Sequence, residues 1–143
     1  MSEGYLYLKN KVEGMNRDEL ILFVYQEMVK VMSKAESCFD TKDIEGRVTA
    51  INKGIEIISV LNSILDFDKG GDISVKLRSL YLYSINKLSQ ANYKRDKKFV
   101  SEVRDIFKDL YTAWSGKMKK DIEQGTVTEI PDNRAGGGLE IYG

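Results

Sequence analysis

The sequence predicts an all-α protein: an antiparallel four-helix bundle with a short N-terminal segment and a flexible C-terminal tail. Three observations lead to this prediction. Apolar residues recur at spacings of three and four along most of the 143 residues, which is the period of an amphipathic helix. The only proline is Pro131, so no obligatory helix breaker interrupts residues 1–122. Short polar connections separate four periodic segments, and such connections make consecutive helices antiparallel neighbours.

The first predicted helix covers residues 17–39. Asn16 and Glu19 have the spacing of a capping box, which makes Asn16 the expected N-cap. The apolar stripe recurs every three or four residues and therefore occupies one face. Its members are Leu20, Val24, Met28, Val31, Ala35 and Cys38.

The second predicted helix covers residues 43–65. Two glycines, Gly46 and Gly54, each weaken it by about 1 kcal/mol relative to alanine, so tertiary packing has to stabilise it. Residues 66–71 end in a glycine pair and are expected to form a loop. The inward stripe of this helix consists of Ile44, Val48, Ile51, Ile55, Ile58 and Leu65.

The third and fourth predicted helices cover residues 72–93 and 96–121. Residues 123–143 contain the proline and several glycines, so we interpret them as a flexible tail behind a bundle domain of residues 1–122. The expected inward positions of the last two helices are Ile73, Leu77, Leu80, Tyr81, Leu88 and Ala91, then Phe99, Val103, Ile106, Leu110 and Trp114.

The composition excludes most catalytic chemistry. The chain has no histidine, which removes Ser-His-Asp catalysis, imidazole acid–base chemistry and histidine metal ligands. The di-iron sites of some helical bundles need Glu-x-x-His pairs and cannot form here. Cys38 is the only cysteine and lies on an apolar stripe, so we expect a buried, inert thiol. We therefore predict no enzyme, no metal and no cofactor.

Positive and negative side chains are balanced, with 22 Lys and Arg against 22 Asp and Glu. Such a chain has no global field that would attract nucleic acid or an anionic membrane. The densest basic run, KRDKK at residues 94–98, is interpreted as a solvated turn between helices. The start of the chain does not resemble a signal peptide, and no segment has the length of a membrane span. We therefore expect a cytoplasmic protein that neither binds nucleic acid nor inserts into a membrane.

Two predicted helices carry more apolar surface than one buried face requires. At about 100° per residue, the seven apolar residues from Ile55 to Leu65 cover an arc of about 220°. One buried face needs a stripe only somewhat wider than about 100°. In the third helix, residues 80–83 read Leu-Tyr-Leu-Tyr and cannot all point into one core. Either these helices are central in the bundle, or they are covered by the tail or a second subunit, or they form an apolar groove for helical segments of a partner.

Several short motifs follow one another between residues 5 and 118. The central group comprises Leu61-Asn62-Ser63-Ile64-Leu65-Asp66, Gly70-Gly71-Asp72-Ile73, Leu77, Leu80-Tyr81, Tyr83, Ala91-Asn92 and Asp96. The flanking elements are Asp18-Glu19-Leu20-Ile21-Leu22 with Tyr25, then Lys42-Asp43, Ile57-Ile58 and Trp114. Each motif alone is weak evidence for any family. Their combined order and spacing, however, resemble the FliS family of flagellar export chaperones.

This resemblance implies a binding protein rather than an enzyme. Members of the family hold the disordered C-terminal region of newly made flagellin, block its premature polymerisation and help to deliver it to the export gate. The expected partners are therefore the C-terminal region of flagellin and components of the flagellar export gate. The alternative is a helical-bundle adaptor or regulator that sequesters a different protein partner.

The candidate partner-binding residues are the apolar positions that the helical wheel directs away from the core. They are Ile57, Val60, Leu61 and Ile64 on the second predicted helix, and Leu82 and Tyr83 on the third. The resemblance also implies that the N-terminal segment can lie over the bundle. Tyr5 and Tyr7 are expected either to cover one groove in the free protein or to fix the entry of the chain into the first helix as a hydrophobic staple.

Overall fold

A computed structural model describes residues 9–10 and 13–123 of the chain. The described part is helical and contains no strand, which confirms the all-α prediction. Four long helices match the four predicted segments closely, and a single helical turn replaces most of the loop predicted at residues 66–71. Residues 124–143 of the predicted tail lie outside the described residues. The helices are α1 (Arg17–Asp40), α2 (Ile44–Ser63), α3 (Phe67–Gly70), α4 (Asp72–Lys94) and α5 (Lys97–Glu123).

The four long helices form a ring in the order α1, α2, α4, α5. Helix α1 packs against α2 and α5, and α4 packs against the same two helices from the opposite corner. The short connections between α1 and α2 and between α4 and α5 reverse the direction of the chain. One diagonal of the ring therefore joins α1 to α4, and the other joins α2 to α5.

The predicted capping box fixes the start of α1. The backbone N–H of Glu19 donates to Asn16 Oδ1 over 2.8 Å, and the backbone N–H of Asn16 donates to Glu19 Oε1 over 3.1 Å. At the start of α2, Asp43 Oδ1 accepts from the backbone N–H of Gly46 over 2.9 Å. These bonds satisfy N–H groups that have no partner within their own helix.

Close helix packing explains why α2 tolerates Gly54. A Cβ atom at this position would lie 2.6 Å from Met32 Cε of α1 and 3.3 Å from Leu88 Cδ1 of α4. The missing side chain lets α2 approach both neighbours at once, and this packing offsets the low helix propensity of glycine.

Regularly spaced side chains form the core. On α4 the buried positions are three and four residues apart, which is the pattern of a helix that buries one stripe. They are Ser74, Leu77, Tyr81, Ser84, Leu88 and Ala91. Two residues expected in the core, Ile44 and Ile73, are 63% and 41% exposed, so those assignments were wrong. Both lie in the first turn of their helices, where fewer neighbouring side chains surround them.

An aromatic cluster occupies the centre of the bundle. Tyr25, Tyr81 and Phe107 are almost completely buried, and Trp114 is 7% exposed. The ring of Tyr25 meets Phe107 and Trp114 edge-on, with centroids 5.7 and 6.3 Å apart. Tyr81 stacks on Phe107 at 6.2 Å. Aromatic pairs of this geometry stabilise a core beyond the area that they bury.

Candidate partner-binding surface

Exposed large apolar side chains are confined to one part of the bundle. Within residues 13–120, every such side chain lies on α2, α3 or α4, and none lies on α1 or on the part of α5 up to Lys120. The set comprises Ile44, Val60, Phe67, Ile73, Val75, Leu82, Tyr83 and Tyr93. Single exposed apolar residues are normal on a soluble protein, but their confinement to neighbouring helices marks a candidate interaction surface.

The outer face of α4 carries the longest row of these side chains. Val75 and Leu82 are seven residues apart, and Tyr93 follows eleven residues after Leu82, so all three lie along one line of the helix. They are 55%, 46% and 86% exposed, respectively. The buried stripe of α4 faces the opposite way. We call Val75, Leu82 and Tyr93 the α4 outer row.

The structure divides the six candidate residues into three groups. Val60, Leu82 and Tyr83 are exposed, at 46%, 46% and 42%. Ile64 is half-buried and packs against the core cluster. Ile57 and Leu61 are 2% and 1% exposed and belong to the core.

The expected outward orientation of Ile57 and Leu61 was therefore wrong. At about 100° per residue, the buried residues of α2 from Arg47 to Leu61 fall within an arc of about 120°, so the buried face has ordinary width but is rotated relative to the stripe expected from the sequence. Both residues continue the buried series through Ala50, Ile51 and Gly54. In a helix whose apolar residues cover an arc of about 220°, sequence periodicity alone does not show which part of that arc faces the core.

Ile64 lies at the edge of a depression between the start of α1 and the end of α2. Its other lining residues include Met15, Arg17 and Leu20. The guanidinium of Arg17 donates a hydrogen bond to the carbonyl oxygen of Ile64 and so ties the two helix ends together. Tyr5 and Tyr7, the residues expected to cover a groove, lie outside the described residues.

Contacts with α5 hold the ring of Tyr83 in place. Its hydroxyl donates a hydrogen bond to Glu102 Oε2, and the Lys87 ammonium lies 5.3 Å from the ring centroid. The hydrogen bond to Glu102 is the largest cause of a raised pKa of the Tyr83 phenol. The ring therefore stays partly exposed, while its hydroxyl is hydrogen-bonded between α4 and α5.

Four further exposed residues near this surface were not identified from the sequence: Phe67, Ile73, Val75 and Tyr93. The seven-residue spacing of Val75 and Leu82 could have indicated the outer row of α4. Phe67 was not considered because it lies in residues 66–71, which were predicted to form a loop. In the structure, Asp66 accepts from the backbone N–H groups of Asp68 and Lys69 and starts α3, which leaves Phe67 43% exposed.

The described side chains offer little for other chemistry. Among the side chains that the structure describes, no three of His, Cys, Asp or Glu come close enough together to hold a metal ion. None of the described helices is both long and apolar enough to span a bilayer. What the geometry does provide is a helical bundle with an open apolar surface, an arrangement suited to contact with another polypeptide.

Comparisons with known proteins identify the class of this bundle. The family model described as "Flagellar protein FliS" matches residues 2–121. A flagellar secretion chaperone FliS from Campylobacter jejuni is 30% identical over 108 residues, which are 76% of this chain and 84% of that protein. The Bacillus subtilis FliS is 27% identical over 133 residues, covering 93% and 92% of the two chains. The Salmonella typhimurium FliS is 29% identical over 108 residues, covering 75% and 80%.

The bundle is thus of the flagellar secretion chaperone class. This chain belongs to the FliS family. The names of its relatives indicate a non-enzymatic role, in agreement with the expectation drawn from the composition.

Proposed function

We propose that this protein binds the disordered C-terminal region of flagellin in the bacterial cytosol, prevents its premature polymerisation and aids its export. The observation that best supports this proposal is that the exposed large apolar side chains of residues 13–120 all lie on α2, α3 and α4. A closed bundle without a partner gains nothing from leaving these side chains in water. Family membership supports the same conclusion, because the relatives are named flagellar secretion chaperones.

The geometry of α4 suits a helical or extended segment that lies along it. Val75 and Leu82 are about 10 Å apart along the helix axis at 1.5 Å per residue, which is close to two turns. A partner helix that presents apolar residues at i, i+3, i+4 and i+7 spans a similar distance. Val60 on α2 and Tyr83 on α4 would extend the contact to either side of this row.

Holding such a partner requires burial of apolar area and no catalytic group. A disordered segment that folds on binding commonly buries about 1,000–3,000 Å² and loses several kcal/mol to its own ordering. Each Å² of apolar surface removed from water contributes about 25 cal/mol. A long segment wrapped over several helices can therefore bind well, whereas a short peptide on one row would bind weakly.

Size-exclusion chromatography of the purified protein with full-length flagellin tests the proposal. We expect a one-to-one complex that disappears when the C-terminal region of flagellin is removed. Binding that persists without this region would instead favour an adaptor or regulator that recognises another segment. Absence of any complex with full-length flagellin would refute the proposal.

The N-terminal segment provides a second test. In our hypothesis Tyr5 and Tyr7 cover a groove in the free protein, so deletion of residues 1–10 should leave the affinity for an isolated flagellin peptide unchanged or increase it. A tenfold loss of affinity would refute the covering role. Components of the flagellar export gate are further proposed partners, and a pull-down with the preformed flagellin complex tests them.

A further inference from the structure

Three lysine ammonium groups surround one aromatic ring where α4 turns into α5. The Nζ atoms of Lys87, Lys94 and Lys98 lie 5.0, 5.9 and 5.7 Å from the ring centroid of Phe99. Phe99 itself is half-buried against the core. We call these three lysines and Phe99 the Phe99 lysine cluster. Ammonium groups are attracted to the face of an aromatic ring, but three like charges held around one ring repel each other.

Nearby carboxylates are engaged elsewhere. Asp96 Oδ1 accepts from the backbone N–H of Lys98 over 3.0 Å, and Asp40 pairs with Lys97 over 2.9 Å. Glu102 accepts the hydroxyl hydrogen bond of Tyr83.

Across residues 13–123, no ion pair joins Lys87, Lys94 or Lys98 to a carboxylate. The turn residue Arg95, which is exposed, adds a further cation next to Lys94. The chain as a whole has balanced charge, so this local excess of positive charge is a property of one corner of the bundle.

An exposed aromatic side chain adjoins the cluster along the chain. Tyr93 directly precedes Lys94 and is 86% exposed, more than any other large apolar residue of the described part. A ligand with carboxylates could bind the lysines through charge-assisted hydrogen bonds, while an apolar side chain of the same ligand contacts Tyr93. A polypeptide segment in which acidic residues alternate with apolar ones offers both kinds of contact.

We propose that the Phe99 lysine cluster binds an acidic segment of a partner protein. Charge complementarity is the main argument, because the structure gathers unpaired cations and commits the local carboxylates to other contacts. A protein segment fits better than a nucleic acid or a membrane. Glu102 and Asp40 keep their negative charges near the cluster, so they disfavour a row of phosphates with a charge on every unit more than a segment whose carboxylates alternate with apolar side chains. Lys94 and Lys98 lie beside the α4–α5 turn and Lys87 lies about two turns earlier on α4, whereas Val75 and Leu82 lie in the first half of that helix. The cluster therefore adjoins the proposed flagellin surface only at Tyr83 and Tyr93.

Fluorescence anisotropy with a labelled peptide of glutamate pairs separated by single leucines tests this proposal on the full chain. A matched peptide with glutamine in place of glutamate is the control for charge. The double variant Lys94→Glu/Lys98→Glu reverses two exposed cations of the cluster. The double variant Lys119→Glu/Lys120→Glu makes the same change in net charge at the far end of α5, where both lysines are also exposed.

We expect saturable binding of the glutamate peptide and none of the glutamine peptide. Lys94→Glu/Lys98→Glu should weaken binding about tenfold or more, because each reversal replaces an attraction by a repulsion. Lys119→Glu/Lys120→Glu should change the affinity less than about twofold. Raising the salt from about 0.1 M to about 1 M shortens the screening length from about 10 Å to about 3 Å and should abolish binding.

Three results would overturn the proposal. One is the absence of binding to the glutamate peptide. Another is an equal loss of affinity in both double variants, which would show a general effect of net charge. The third is binding of single-stranded DNA or of phosphatidylserine vesicles through Lys94 and Lys98 without binding of the peptide, which would assign the cluster to a different class of partner. Circular dichroism and complex formation with flagellin would report independently on folding and on the proposed function.

Discussion

The phenolic oxygens of Tyr25 and Tyr81 lie 2.7 Å apart and form a hydrogen bond in the interior of the bundle. Tyr25 belongs to α1 and Tyr81 to α4, so this bond crosses a diagonal of the ring whose helices are not otherwise direct neighbours. Both side chains are almost fully buried. The bond therefore pairs two polar groups in an interior where an unmade hydrogen bond is costly.

Removal of one hydroxyl from this pair should destabilise the protein. In Tyr25→Phe the hydroxyl of Tyr81 loses the partner that faces it across the core, and we expect a loss of about 1–3 kcal/mol in the free energy of unfolding. The double variant Tyr25→Phe/Tyr81→Phe should cost less than the sum of the two single variants, because both single variants break the same hydrogen bond. Urea denaturation measures all three. Strict additivity would contradict a mutual dependence of the two groups.

Burial also predicts a dependence of stability on alkaline pH. Desolvation raises the pKa of Tyr25 to about 12, against a smaller opposing effect of the hydrogen bond from Tyr81. The unfolded state, with a pKa of about 10, releases the phenolic proton first. The contribution of Tyr25 is therefore fully present below about pH 10 and decreases as the pH rises through about 12, by up to about 1.4 kcal/mol per unit. Unfolding curves of the native chain and Tyr25→Phe should converge in this window. A constant difference between them would contradict the prediction.

The ion pair between α1 and α5 should contribute measurably to stability. Arg104 Nη1 lies 2.7 and 2.8 Å from the two carboxylate oxygens of Glu36, whose side chain is only 12% exposed and also accepts from the Ser101 hydroxyl. Arg104→Ala leaves this carboxylate with fewer donors in a half-buried site. We expect a loss of about 1–2 kcal/mol.

Asp105 provides a matched control for this ion pair. It also contacts the guanidinium of Arg104, at 3.1 Å, but its side chain is 63% exposed. Asp105→Ala should change the free energy of unfolding by no more than about 0.5 kcal/mol, because exposed pairs are screened by water. Equal effects of Arg104→Ala and Asp105→Ala would show that burial of Glu36 is irrelevant.

Relief of backbone strain at the end of α4 should stabilise the bundle. Arg95 adopts a left-handed conformation with φ of 55°, which glycine tolerates much better than residues with a Cβ atom. Arg95→Gly should therefore raise the free energy of unfolding by about 1 kcal/mol. Ser89→Gly, at an exposed position inside the same helix, should instead lower it by about 0.5 kcal/mol. Thermal unfolding distinguishes the expected stabilisation by Arg95→Gly from the expected destabilisation by Ser89→Gly. A destabilised Arg95→Gly variant would show that the backbone at Arg95 is not strained.

A pair of aspartate variants separates the core from the proposed binding surface. Leu82 is half exposed, so Leu82→Asp should keep the helical content while weakening the complex with flagellin about tenfold. Leu61 is 1% exposed, and Leu61→Asp should lower stability by more than about 3 kcal/mol by burying a carboxylate. Circular dichroism and size-exclusion chromatography measure both properties. A Leu82→Asp variant that folds and binds flagellin normally would exclude this residue from the interface.

Local patterns in the sequence were sufficient to predict the helices. The capping box at Asn16 and the absence of proline from residues 1–122 placed the helices to within a few residues. The sequence also predicted the surplus of apolar residues on the second and third long helices, because this surplus depends only on the helical period and on the residue composition.

Assignments that depend on tertiary neighbours were less accurate. The orientations of Ile57 and Leu61 were wrong because the buried face of α2 is rotated about the helix axis relative to the stripe chosen from the sequence. On α5, Val100 and Phe107 are fully buried, whereas Phe99 and Ile106 from the predicted stripe are half-buried. A small error in the phase of a helical wheel is enough to exchange such neighbours.

The Phe99 lysine cluster shows the same limit. The basic run at residues 94–98 was correctly expected at a turn between helices. Its relation to Lys87 on α4 and to the ring of Phe99 depends on how α4 and α5 pack, and no local pattern in the chain encodes this packing. Lys87 comes close to the Phe99 ring only when α4 and α5 are packed together in the folded bundle.

The position of Trp114 gives this protein an intrinsic optical probe. Trp114 is the only tryptophan of the chain, and its indole lies deep between α1 and α5, edge-on to Tyr25. Its fluorescence spectrum therefore monitors the integrity of the interior without any label, and it should shift to longer wavelength only when the helices separate. A flagellin that contains no tryptophan could be titrated into the protein while the Trp114 emission is recorded. An unchanged emission maximum at saturation would indicate that flagellin binds without opening the core.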